Sequence, residues 1–145
     1  MRRRALASAA CVAAWLIFPV ALGAADLRVK VIAHPTHAMK LSVAALRAIY
    51  LKHQLLWSDG RPIIPINREA GSVARELFSK RLFGQDSLRL ATYWNQRYFE
   101  AGEFPPATLA SEEAVVRFVA GNENAIGYVT REEVGDSVAV VLVLE

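Results

Sequence analysis

The stretch Asn67-Arg68-Glu69-Ala70-Gly71-Ser72-Val73-Ala74 holds the residues whose types and spacing best suit chemistry. It places an arginine just past an apolar, strand-like run and a Gly-Ser pair where a helical pattern begins. A helix N-terminus offers unpaired N–H groups and about half a positive charge, which together hold an anion. Here the N–H groups after Gly71, those of Ser72, Val73 and Ala74, can converge on one oxyanion. The Ser72 hydroxyl can add a donor and Arg68 a bidentate fork. The plainer alternative makes Ser72 a helix cap and Arg68 a solvated cation. Gly-Ser before a helix is common, so local sequence alone leans to that alternative.

Other chemistry finds less support. Ser72 lacks a nucleophile elbow, because Val73-Ala74 follows where a Gly is needed two residues on. His34, His37 and His53 have no base-and-orienter setting, so the chain is not read as an enzyme. His34-x-x-His37 falls in a loop that does not fix metal geometry, and neither a metal nor a cofactor is implied. Glu112-Glu113 and Glu132-Glu133 are adjacent pairs, which point to different faces and read as solvated charge rather than an acid–base couple. Trp57 and Phe104 fall in loop-like contexts and can line a partner-binding patch, although core packing explains most aromatics. Basic and aromatic residues do not interleave as they do in single-strand grips, so nucleic acid is not an expected partner.

The elements that must position these groups follow from the pattern. Residues 28–34 alternate as a strand, and His34-Pro35-Thr36-His37 ends it. Ser42 caps a helix over 43–51, with Leu46, Ile49 and Tyr50 on one face. Ser58-Asp59-Gly60 marks a turn, and 62–66 reads as a short buried strand whose two prolines argue that it lies near an edge or bulges. A helix over 73–83 carries Val73, Ala74, Leu77, Phe78 and Leu82 at helical spacing and stops at Gly84. Asp86 caps a helix over 87–99 with a stripe of Leu88, Ala91, Trp94 and Tyr98. The segment 103–106 is an exposed connection, and Ser111 caps a helix ending at Gly121. Residues 125–129 read as a strand, and 138–144 as a strand buried on both faces. Strands alternating with helices make an α/β sheet with helices packed on it.

Length and charge bound the reading. The sequence has 145 residues, a single Cys and a formal net charge of +3. One domain is expected, and a two-lobed binder, a repeat array and a disulfide framework are not. Residues 1–25 carry Arg2, Arg3 and Arg4, then an uncharged run ending in small residues, which is the pattern of a cleaved secretory signal. A retained anchor is the competing reading, weakened because nine of the 21 residues from Ala5 to Ala25 are Ala. Cys11 lacks the bulky aliphatic residue three positions before it that a lipoprotein signal needs. Without that segment the domain 26–145 has 14 basic and 14 acidic residues, and no Cys, which suits an oxidising extracytoplasmic compartment. Residues 27–81 have a surplus of +7 and residues 82–145 a balance of −6. A basic first half suits an anion site, unless the two sets simply intermix on the surface.

The ordered set Leu41-Ser42, LRAIYL at 46–51, Trp57-Ser58-Asp59-Gly60, IIPINR at 63–68, Gly71-Ser72, Phe78 and AIGYV at 125–129 resembles the periplasmic phosphate-binding proteins of ABC transporters. The resemblance runs from residue 29 to 144. It implies one lobe of a type II periplasmic binding-protein-like fold, a small mixed sheet flanked by helices. It also implies an oxyanion ligand such as phosphate held through Arg68, Gly71, Ser72, Val73 and Ala74, and an ABC-type uptake or sensing context. The family's loop reads Arg-x-Asp-Gly-Ser-Gly-Thr; here Ala70, Val73 and Ala74 replace its Asp, second Gly and Thr. Lys52 stands where a Gly usually follows the first helix, and Asn124 replaces the Gly before AIGYV. Two missing side-chain hydrogen bonds cost about 10²–10³-fold in affinity, and an absent opposing lobe leaves the anion open to water. Weak oxyanion binding is one expectation. The other is an accessory module that has lost its ligand and contacts a membrane transporter, a sensor or a second copy of itself.

Overall fold

A computed structural model describes residues 27–145; the export signal read at 1–25 lies outside the described residues. The order along the chain is β1 (Val29–Ala33), α1 (Val43–Tyr50), β2 (Ile64–Arg68), α2 (Val73–Phe83), α3 (Ser87–Ala101), β3 (Ala107–Leu109), α4 (Glu112–Ala120), β4 (Ala125–Val129) and β5 (Ala139–Leu144). The strands form one sheet in the order β3-β2-β4-β1-β5. β2 runs parallel to β3 and β4, whereas β1 is antiparallel to β4 and β5. This is the mixed α/β sheet flanked by helices that the sequence implies.

Side chains alternate across a strand, so each central strand feeds two cores. Val29, Val31 and Ala33 of β1, with Ile126 and Tyr128 of β4, pack against Leu46, Ile49 and Tyr50 of α1 and Phe78 and Leu82 of α2. Ile32, Ala125 and Val129 face the other way, onto Val115 and Val119 of α4. Gly127 lies on that second face, where an added Cβ would meet Val115 Cγ1 at 2.6 Å. Its lack of a side chain is what lets α4 approach the sheet this closely.

Each long helix begins at the expected cap. Ser42, Ser72, Asp86 and Ser111 accept hydrogen bonds through their side chains from the N–H three residues on. Lys52, which stands where the resemblance expects Gly, has φ 58. The backbone there keeps the left-handed turn that makes glycine usual.

Several expectations are corrected. β2 runs over 64–68 rather than 62–66, one strand in from the β3 edge, near an edge as its prolines suggest. Its pairing to β3 begins only at Ile66, so Pro65 sits past the end of that ladder and removes no bond from it. β3 follows the 103–106 connection, in residues to which the sequence pattern assigns no element; three residues after a Pro-Pro pair carry too short a pattern to show. β5 is an edge strand with Val143 37% exposed, not a strand buried on both faces. On α3 the inward residues are Leu90 and Trp94, while Leu88 is exposed, so the predicted stripe is out of phase. Trp57 is core rather than patch: it is buried, stacks on His37 at 4.3 Å, and donates from Nε1 to the Asn124 carbonyl at 3.2 Å.

Candidate anion site at the strand ends

Because β2, β3 and β4 are parallel, their C-terminal ends lie on one side of the sheet, where open α/β sheets place ligands. Arg68 ends β2, Leu109 ends β3 and Thr130 follows β4. Two helices begin there, α2 at Ser72 and α4 at Ser111. A shallow cleft of about 320 Å³ between them is lined by Arg68, Ser72, Val73, Ala74, Ala110, Ser111, Glu112, Glu113 and Thr130. Four of the five predicted residues therefore share one cleft. Gly71 is not among its lining residues and supplies the turn into α2, with φ 83.

The donors at this cleft are largely taken by the protein itself. The Arg68 guanidinium is 8% exposed as a residue and forks onto Glu69, Nη2 to Oε1 at 2.9 Å and Nε to Oε2 at 3.2 Å. Nε also donates to the Leu109 carbonyl at 3.1 Å and Nη2 to that of Ala110 at 3.3 Å. Arg68 is neither a solvated cation nor an open fork. It ties the end of β2 to the end of β3. The hydrogen bond to Glu69 raises the Arg68 pKa further, and the same bond holds the Glu69 carboxyl below the usual carboxylate range.

The Ser72 hydroxyl donates to the Glu69 carbonyl at 2.9 Å and accepts from Arg75 N–H at 3.3 Å. The Gly71 N–H donates to Glu76 Oε1 at 3.2 Å. The Glu76 carboxylate also accepts from the Ser87 hydroxyl, which holds its pKa low, and from the Ser87 N–H at 3.3 Å. Thus a carboxylate from α2 itself lies against the turn that starts the helix.

Across the cleft Glu112 is not merely solvated charge. Its Oε1 accepts from both the N–H and the hydroxyl of Thr130 at 2.7 Å, and its Oε2 from Arg131 N–H at 3.1 Å. Glu113 is kept ionised by a hydrogen bond from its own backbone N–H, with Arg131 3.8 Å away. The local pattern could not reveal this use of Glu112, because its partners lie 18 and 19 residues on. Two of the three histidines are used structurally. His34 accepts from Thr36 N–H at 3.2 Å, and His37 stacks on Trp57. No group of metal-ligating side chains with ion-binding placement occurs among the described residues.

No protein-family model matches the chain, and no curated protein sequence matches it. Solved structures do. One is described as a phosphate ABC transporter substrate-binding protein with bound phosphate, from Clostridium perfringens. It is 26% identical with a TM-score of 0.57, covering 78% of this chain and 43% of that one. An ABC-type phosphate transport receptor from Vibrio cholerae is 18% identical with a TM-score of 0.62, covering 78% and 44%. A possible phosphate binding protein from Planctomyces limnophilus is 17% identical with a TM-score of 0.50, covering 70% and 34%. The chain spans less than half the length of each. Its fold matches a single lobe of these solved structures.

Proposed function

We propose that this chain is an exported, single-lobe accessory module of a phosphate uptake or sensing system, which works through protein contacts and not as a tight anion carrier. In this reading residues 1–25 direct export and 26–145 form the extracytoplasmic domain. The observation that carries it is the Glu69 carboxylate on the Arg68 fork, since the side chain best suited to phosphate already holds an anion. Glu112 and Glu113 add negative charge to the same cleft, which opposes a second anion. The outer side of α3 leaves Leu88 77% and Phe99 84% exposed, which suits contact with a transporter, a sensor or a second copy.

A second reading has its own support. The N–H groups of Val73 and Ala74 lie in the first turn of α2, at the cleft, where helices leave such donors unpaired. Weak oxyanion binding at Arg68, Ser72, Val73 and Ala74 then needs Glu69 to swing away. Calorimetric titration of phosphate into wild type, Glu69→Gln and Arg68→Ala separates the two. Wild type and Arg68→Ala should give no saturable heat up to about 1 mM phosphate, while Glu69→Gln should gain binding. Tight phosphate binding by wild type that vanishes in Arg68→Ala would replace the accessory reading with a carrier.

A further inference from the structure

A second cleft, of about 370 Å³, opens on the other side of β2 and shares no lining residue with the first. Arg75 of α2 and Asn67 of β2 form its polar end, and Trp94, Tyr98, Phe104 and Pro105 its walls. Arg75 Nε and Nη1 are buried and have no hydrogen-bond partner. No carboxylate forms an ion pair with Arg75 among the described residues. The guanidinium lies near the Tyr128 hydroxyl, where it works against the upward push of burial on that group. The Asn67 Oδ1 is taken by the Tyr128 hydroxyl at 3.0 Å, so Asn67 can offer only its amide N–H groups. The walls are aromatic: Trp94 is buried, and the Tyr98 and Phe104 rings lie 5.1 Å apart.

We propose that this cleft binds a small organic carboxylate with a flat apolar body, its carboxylate paired to Arg75 and its body against Trp94, Tyr98 and Phe104. Buried guanidinium nitrogens without a hydrogen-bond partner are costly, and an anion entering the cleft relieves that cost. The planar fork of arginine matches a carboxylate. The apolar walls would instead strip water from inorganic phosphate while giving it few donors, which disfavours that ion. The volume lies at the small end of ligand pockets, enough for one ring and a short acid arm. Arg68 shows the contrast within the same molecule: Glu69 occupies its fork, whereas no carboxylate pairs with Arg75, which has the Tyr128 hydroxyl beside it and two buried nitrogens without a partner.

The test is a titration of 3-phenylpropionate into the purified protein, followed by calorimetry and by the indole N–H resonance of Trp94. Saturable binding is expected, and the uncharged 3-phenylpropionamide should bind about tenfold more weakly or worse. Arg75→Gln should lose the preference for acid over amide, and inorganic phosphate in equal amount should not displace the acid. If Arg75→Gln does not fold, the acid–amide comparison on wild type still decides. Equal affinity for acid and amide, displacement by phosphate, or no saturation by about 10 mM acid would each overturn the proposal. These outcomes are independent of whether Glu69→Gln gains phosphate binding.

Discussion

Two arginines seven residues apart, Arg68 and Arg75, sit on opposite sides of β2 and meet opposite fates. Arg68 is engaged through Nε and Nη2, on Glu69 and on the carbonyls of Leu109 and Ala110. Arg75 is buried at two of its nitrogens with no partner for either. Tyr128 stands between the two clefts, donating to Asn67 Oδ1 and accepting from Arg68 N–H at 3.1 Å. The difference teaches that the residue with the family-like motif is not the residue left free to bind. A charge whose fork is already filled contributes structure, whereas an unfilled buried charge is poised for a ligand.

The largest effect is expected from removing the ring that backs Tyr128. Phe78 stacks on Tyr128 with ring centroids 3.7 Å apart and is buried. Phe78→Ala should cost about 3–5 kcal/mol in denaturant unfolding and should loosen both clefts together. A loss confined to one cleft would show that Tyr128 does not couple them.

Next in size is the pair of arginine replacements. Arg68→Met leaves the Leu109 and Ala110 carbonyls without their donor and should destabilise by about 1–3 kcal/mol. Arg75→Met removes an unpaired buried charge and should leave stability unchanged or raise it by about 1 kcal/mol. Chemical denaturation of the two variants side by side measures the difference. Equal destabilisation would mean that Arg75 is as structurally committed as Arg68.

The smallest effect expected is a pH dependence at the first cleft. Glu69 has a lowered pKa from its hydrogen bond to Arg68, so its contribution is present above the ordinary carboxylate value. That contribution is lost as pH falls through the lowered value, on the acid side of the ordinary carboxylate range. Sulfate, which remains a dianion there, should bind wild type weakly at that pH and not at neutrality. Glu112 and Glu113 face the same cleft, so the decisive quantity is wild type minus Glu69→Gln, whose sulfate affinity should vary less with pH. Identical profiles for the two proteins would remove Glu69 from this role.

The caps Ser42, Ser72, Asp86 and Ser111 are local devices, each bonding to an N–H three residues away, and each is where the sequence places it. The stripe expected on α3 is out of phase because two of its members, Leu88 and Tyr98, are apolar yet exposed. Hydrophobicity alone does not say which apolar side of such a helix meets the sheet. Arg75 left a faint trace: it sits with Phe78, Ser79 and Leu82 at i, i+3, i+4 and i+7, a cation on the inward stripe of α2.

By itself, then, the sequence determined the cadence of strands and helices, their caps, and the grouping of Arg68, Ser72, Val73 and Ala74 at one helix start. These depend on periodicity and on contacts a few residues apart. Tertiary structure alone decided which groups are spent and which are free. Glu69 and Arg68 are chain neighbours, and alternation along a strand would point them apart until the chain turns at the end of β2. Glu112 meets Thr130, and Arg75 is enclosed without a counter-ion, only after the parallel strands bring distant segments to one sheet.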